Sequence, residues 1–163
     1  MPLRRGRAAR RVTAMIASLT IAIIAIVGLP TSPAHAHSRS SAIYYGCGSN
    51  YNVVNDGIRT ITWGGEVWGE VILTYNPSTG RNCVVTRKIK YHDVKTYTDA
   101  RLQLQNDSNV YIDGGYYYHW AAVSRPASGV CVAYWGTVST RKSPSEERYI
   151  SAGNGRSTFG NCG

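Results

Sequence analysis

Histidine offers this chain its sharpest chemistry. There are four, His35, His37, His92 and His119, and imidazole both titrates near neutrality and is the commonest metal ligand. His37 follows Ala34-His35-Ala36, small residues at the two positions a signal peptidase reads. Cleavage after Ala36 makes His37 the first residue. Its free α-amine and its own imidazole can then chelate one ion, and His92 or His119 supplies a third nitrogen, a donor set suited to copper(II). The competing reading is a solvated terminus whose histidine is an accident of the cleavage junction. The default expectation is therefore no metal and no cofactor, with copper at His37 and His119 (or His92) kept as an alternative.

Hydrolase chemistry needs carboxylates or a nucleophile in register. Glu66 with Glu70, Asp93 with Asp99, and Glu146 with Glu147 are the available pairs. On a strand Glu66 and Glu70 share a face about 13 Å apart, at ~3.3 Å per residue, beyond both glycosidase spacings. A nuclease wants histidine, carboxylate and arginine around a phosphate. His92-Asp93, His119 and Arg87 or Arg101 supply the types without a diagnostic spacing. Gly-x-Ser-x-Gly, His-Glu-x-x-His, phosphate-loop and dinucleotide fingerprints are absent. The sequence is read as non-catalytic, with a small secreted hydrolase or nuclease using His92 and His119 as an alternative.

Aromatics are the other candidates. Twelve Tyr, four Trp and one Phe all follow residue 36. Trp68, Trp120 and the run Tyr116-Tyr117-Tyr118-His119 could stack on the apolar face of sugar rings. The alternative is that they fill the core of a β domain, where aromatics are favoured. If Tyr116–Val123 is one strand, alternation turns either Tyr116, Tyr118 and Trp120 outward or Tyr117 and His119. An inhibitor-like loop at Lys142-Ser143-Pro144-Ser145 or Arg125-Pro126-Ala127-Ser128 is a further alternative, one that would present an extracellular protease with a rigid exposed segment.

The elements that must position these residues begin with an export signal. Arg4, Arg5, Arg7, Arg10 and Arg11 precede an apolar run from Met15 to Leu29. Charge, core and cleavage site together read as a signal peptide over 1–36. Residues 37–163 then form one secreted β domain, with 37–43 expected to be loose. No membrane segment remains after cleavage. Five of the 18 Lys and Arg lie in the signal, leaving 13 against nine Asp and Glu, a net of +4. That mild charge does not indicate nucleic acid.

Four cysteines, Cys47, Cys83, Cys131 and Cys162, all follow the signal, and in an exported chain they read as two disulfides. Three pairings exist. Cys47–Cys83 with Cys131–Cys162 is favoured because each bridge ties a terminus to an apolar strand, stabilising by about 3–4 kcal/mol apiece in the chain-entropy picture.

Period-two alternation marks strands at Val67–Tyr75 and Cys83–Tyr91, with Asn76-Pro77-Ser78-Thr79-Gly80-Arg81-Asn82 as their hairpin turn. Further strands are predicted at Thr96–Leu104, Tyr116–Val123 and Val130–Val138, with shorter ones at Ile58–Trp63 and Tyr149–Ser151. Asn106–Asn109, Asp113-Gly114-Gly115 and Arg125–Gly129 read as turns. Ser143-Pro144-Ser145-Glu146 is the one helix-start signal. The fold class is all-β, a small antiparallel sandwich or barrel stapled by two disulfides.

Several phrases together resemble a known group. They are Tyr75–Thr86 after an aliphatic strand, Asp113-Gly114-Gly115-Tyr116-Tyr117-Tyr118 leading to Ala121-Ala122-Val123, Gly129-Val130-Cys131-Val132 with Trp135-Gly136, and the terminal Asn161-Cys162-Gly163. Their order is similar to that in small exported actinobacterial proteins of the spore-associated type. The resemblance implies export, a disulfide-stapled β domain and association with the cell or spore exterior. It brings no catalytic residues, and His119-Trp120 stands where a smaller residue is expected. The conceivable copper site is similar to the histidine brace of copper-dependent polysaccharide monooxygenases, but the rest of that pattern is missing. The primary expectation is a secreted domain that binds a wall or extracellular polysaccharide through Tyr116, Tyr117, Tyr118, His119, Trp120 and Trp68.

Overall fold

A computed structural model describes residues 36–162. Apart from Ala36, the expected signal segment lies outside the described residues. One helix, α1 (Arg39–Cys47), precedes eight strands: β1 (Asn52–Trp63), β2 (Glu66–Asn76), β3 (Arg81–Lys88), β4 (Thr96–Leu104), β5 (Val110–Tyr117), β6 (Trp120–Pro126), β7 (Val132–Ser139) and β8 (Ser151–Gly160). They form two four-stranded antiparallel sheets, ordered β1-β2-β3-β6 and β5-β4-β7-β8. Ile61, Val71, Leu73, Val84, Leu102, Tyr134 and Val138 fill the space between them. Both favoured disulfides form, Cys47–Cys83 and Cys131–Cys162.

The hairpin between β2 and β3 is built by Asn76, whose side-chain oxygen accepts from the N–H groups of Ser78 and Thr79, and by Gly80 at φ 64°. β3 is buried on both faces. Val84, Thr86 and Lys88 point into the sandwich, although they are the more polar alternating set. Cys83 and Val85 point outward, where Ala42 and Ile43 of α1 cover them. The helix makes the outer face apolar, so polarity alternation alone does not tell inside from outside here.

The expectation of a loose segment over 37–43 does not hold. Ser38 caps α1, its Oγ accepting the Ser41 N–H at 3.1 Å, and the Cys47–Cys83 bridge pins the other end. Nor does Asp113-Gly114-Gly115 turn. It runs through β5 in register with Ala100, Asp99 and Thr98. Gly114 serves close packing instead, since a Cβ there would lie 2.8 Å from the Tyr97 hydroxyl. The chain turns later, at Tyr118-His119, and so splits the predicted Tyr116–Val123 strand. β8 replaces the short strand predicted at Tyr149–Ser151. Ser143–Glu146 forms a single turn rather than a helix.

Candidate metal centre at a three-histidine cluster

Two connections that cross between the sheets lie at one end of the sandwich. The first, between β3 and β4, carries His92. The second, between β5 and β6, carries His119. They are tied together through Lys88, whose N–H donates to the His119 carbonyl at 2.9 Å. Residue His37, just before α1, lies across both. Its ring centroid is 5.0 Å from that of His92 and 4.6 Å from that of His119, and the latter two are 4.8 Å apart. One ligating nitrogen from each ring lies within 4.8 Å of the others. Bonds of ~2.0–2.1 Å to a shared ion allow two ligands to be at most ~4.2 Å apart, so the three nitrogens stand within about 0.6 Å of the spacing an ion requires.

Asp93 stands behind the cluster. Its carboxylate lies 2.8 Å from His92 Nδ1 and 3.4 Å from His119 Nδ1. Both Nδ1 atoms are buried, and neither contact lies along a ring N–H direction. In metal sites a carboxylate that accepts the outer ring N–H fixes tautomer and ring angle; Asp93 stands beside both outer nitrogens without making that bond. His92 Nε2 accepts the His37 N–H at 3.3 Å. Burial, then the neighbouring His92 and His37, push His119 below the ordinary histidine value, which favours the neutral, ligating form. Tyr91 and Asp93, which flank His92, both adopt left-handed φ (62° and 63°), a conformation non-glycine residues seldom take.

Charged side chains position each histidine. Arg87 Nη1 donates to the His37 carbonyl at 2.5 Å and its Nη2 to Glu70 at 2.8 Å. Glu70 also takes a two-pronged contact from Arg39 in the first turn of α1, at 3.0 and 2.7 Å. Arg39, then Arg87, hold the Glu70 carboxyl below its usual range against the opposing effect of burial. Lys88 holds the other two histidines. Its buried ammonium donates to the Val94 carbonyl (2.6 Å), Thr96 Oγ1 (2.7 Å) and the Tyr117 carbonyl (2.9 Å), so it clamps the segments bearing His92 and His119.

The chain is 33% identical over 126 residues to spore-associated protein A of Streptomyces coelicolor, covering 73% of this chain and 77% of that protein. The chain belongs to the spore-associated protein family. No protein-family profile matches the chain, and no solved structure matches it.

The other predicted residues scatter. Trp68 is 2% exposed and belongs to the core, packed edge-on to Tyr91, so its ring presents no platform. Tyr116 and Tyr117 are half-buried, with the Tyr117 hydroxyl donating to Asp113 at 2.6 Å. Tyr118 is exposed, and Trp120 is half-buried beside the histidines. Their neighbours in a ring-to-ring series are Tyr44 and Tyr45 of α1, which nothing in the sequence pattern marked. Tyr45 stacks on Trp120 at 6.3 Å and 15°, and Trp120 meets His37 at 5.3 Å.

The carboxylate pairs do not converge. Glu66 meets Lys90, Glu70 meets the two arginines, and buried Asp99 meets Arg101. Arg125 and Pro126 end β6, with Arg125 over the Tyr111 ring at 4.2 Å and Ala127 buried, so that stretch is no projecting loop. Lys142–Ser145 is knitted by Arg141 to the Ser143 and Pro144 carbonyls and by Glu146 to the Lys142 N–H. The sequence missed Asp93, Lys88, Glu70 and Arg87 as supports, because their role depends on the crossing connections rather than on any local spacing.

Proposed function

We propose that this is an exported protein of the spore or cell exterior that binds one copper(II) ion through His37, His92 and His119. The observation that carries the reading is convergence. Three segments far apart in sequence bring one nitrogen from each of three imidazoles within 4.8 Å, with one carboxylate behind two of the rings. An all-nitrogen set suits copper, and the Irving–Williams order places copper(II) above zinc at such a site. Two disulfides, and the spore association in the relative's name, support a place outside the cytoplasm. The role is binding rather than turnover. The secreted protein, titrated with copper(II), is expected to take up one equivalent with a Kd tighter than about 1 µM and to show nitrogen coupling in its EPR spectrum. His92→Ala and His119→Ala should each abolish that uptake. A spectrum of free aqueous copper in the unaltered protein would end the reading.

A second reading rests on the ring series Tyr44, Tyr45, Trp120, His119 and Tyr118. Tyr45 is 72% exposed and Tyr44 59%, unusual for aromatics without a partner. This supports a wall or extracellular polysaccharide laid along the rings. Insoluble peptidoglycan or chitin should retain the protein and should release it when Tyr45 and Trp120 are changed to alanine. Passage of the unaltered protein through both matrices would remove this reading.

A further inference from the structure

We propose that removal of the segment preceding His37 creates the fourth ligand of this centre, so that the site closes only in the processed protein. The inference rests on the copper reading above and deepens it. It turns on one atom, the backbone nitrogen of His37. That nitrogen lies 3.3 Å from His92 Nε2, about the separation of two ligands on one ion with bonds of ~2.0–2.1 Å. While Ala36 is attached, the nitrogen is an amide. Its lone pair is delocalised into the Ala36 carbonyl, and its one hydrogen points at His92. Such a neutral nitrogen donates a hydrogen bond and offers a metal no lone pair unless its proton is first removed. Hydrolysis of the Ala36–His37 bond by a signal peptidase consumes one water. The Ala36 carbonyl leaves as a carboxylate, and the nitrogen becomes a primary amine with a free lone pair. With an ordinary α-amine pKa of about 8, copper displaces one proton as it binds.

The amine is held where it must act. Arg87 grips the His37 carbonyl at 2.5 Å, and Ser38 starts α1 immediately after. His37 therefore cannot swing freely about the chain. The α-amine and imidazole of one residue close a chelate ring, and His92 and His119 supply two more nitrogens from the crossing connections. The consequence is regulatory: a chain still carrying its leader offers copper three imidazoles, and the processed chain offers four nitrogens. Tight loading is thereby confined to protein that has been exported and cut.

The test compares two secreted proteins. One is the natural product, its first residue read by mass spectrometry. The other carries Gly-Ser-Gly-Ser inserted between Ala36 and His37, so that cleavage leaves His37 fifth, too far from the new amine to close a chelate ring with it. Both are titrated with copper(II) chloride, and their thermal melts establish equal folding. The expected result is a loss of at least ~100-fold in affinity on insertion, beyond the 10–100-fold typical of disturbing an outer-shell partner, with one fewer nitrogen coupled in EPR. Equal affinity and equal spectra would overturn the fourth ligand while leaving three-imidazole binding intact. Failure of both proteins to bind would overturn the copper reading and this inference with it. A natural first residue other than His37 would overturn the inference alone.

Discussion

Lys88 offers the most demanding test of how the cluster is held. Replacement by methionine keeps most of the buried stem and deletes the ammonium. Three acceptors lose their donor: the Val94 and Tyr117 carbonyls and Thr96 Oγ1. At about 2 kcal/mol for each stranded acceptor, the loss is ~6 kcal/mol. Against this stands the cost of burying a charge. Burial pushes the Lys88 ammonium down to about 8 from 10.5, and at 1.36 kcal/mol per unit that is ~3 kcal/mol of desolvation that methionine avoids. The net expectation is a destabilisation of about 3 kcal/mol at pH 7. For a domain of this size that lowers Tm by about 12 °C.

The sign with pH follows from the lowered value. Below about pH 8 the group is charged in both folded and unfolded chains. Between 8 and 10.5 the unfolded chain binds more protons, so native stability rises with pH by this group alone. The gap between the natural protein and Lys88→Met should therefore widen from pH 7 to pH 10. Differential scanning calorimetry with both disulfides intact reads these quantities. Copper titration should show weaker binding as well, because Val94 and Tyr117 each lie two residues from a ligand. A Tm within about 2 °C of the natural protein, with no pH-dependent gap, would refute the clamp.

Glu70→Gln should cost about 2 kcal/mol by leaving Arg39 and Arg87 without their shared carboxylate, and urea titration measures it. Because the Glu70 carboxyl is held low, its contribution is present above the ordinary carboxylate range and is lost as pH falls through its folded value. The variant should show less acid destabilisation below about pH 4 than the natural protein. Replacing Cys47 and Cys83 by serine should cost about 3–4 kcal/mol and weaken copper binding as well, since α1 carries His37 on its N-terminal side. Replacing Cys131 and Cys162 should cost a similar amount while leaving copper affinity unchanged, and paired melts and titrations separate the two outcomes. Gly136→Ala should destabilise by at least ~3 kcal/mol, read by thermal melt, because a Cβ there would lie 1.9 Å from Thr86 Oγ1 and 2.8 Å from the Asp99 carbonyl.

Strand periodicity located β2, β3 and β4 well, because each alternates over at least eight residues between turn-forming clusters, while β7 was marked by its apolar run after the Arg125–Gly129 turn. The disulfide pairing was legible from the mechanics of tying each terminus to an apolar strand. β8 was not. Its sequence, Ser151 to Gly160, is glycine-rich and polar, and it forms because glycine lets it lie close against β7. A Cβ on Gly155 would sit 2.2 Å from the Tyr134 carbonyl. Asp113-Gly114-Gly115 misled for the same reason: glycine there permits contact under Tyr97, not a reversal of the chain. α1 was hidden by its brevity and by a lack of helical periodicity. Only Ala42 and Ile43 are buried along it. The three histidines could be named from the sequence as ligand types, but their meeting depends on two connections that cross between the sheets.

Those connections explain why this end of the sandwich can hold an ion at all. A hairpin within one sheet keeps its tip beside its own strands. A connection that passes from one sheet to the other must cover the open end of the core, and its side chains are drawn toward the seam between the layers. Here two such connections run next to each other, joined by the Lys88 N–H to the His119 carbonyl and by the Lys88 ammonium to both segments. Asp93 lies beside both imidazoles as a result. His37 then arrives from α1, whose seat on the outer face of β3 is fixed by Glu70 and by the Cys47–Cys83 bridge. His37 thus has its own anchor in Arg87 and Glu70, while His92 and His119 share Lys88. Loosening one anchor should lower copper affinity without unfolding the others, whereas a fortuitous surface cluster would lose its geometry only when the whole domain melts.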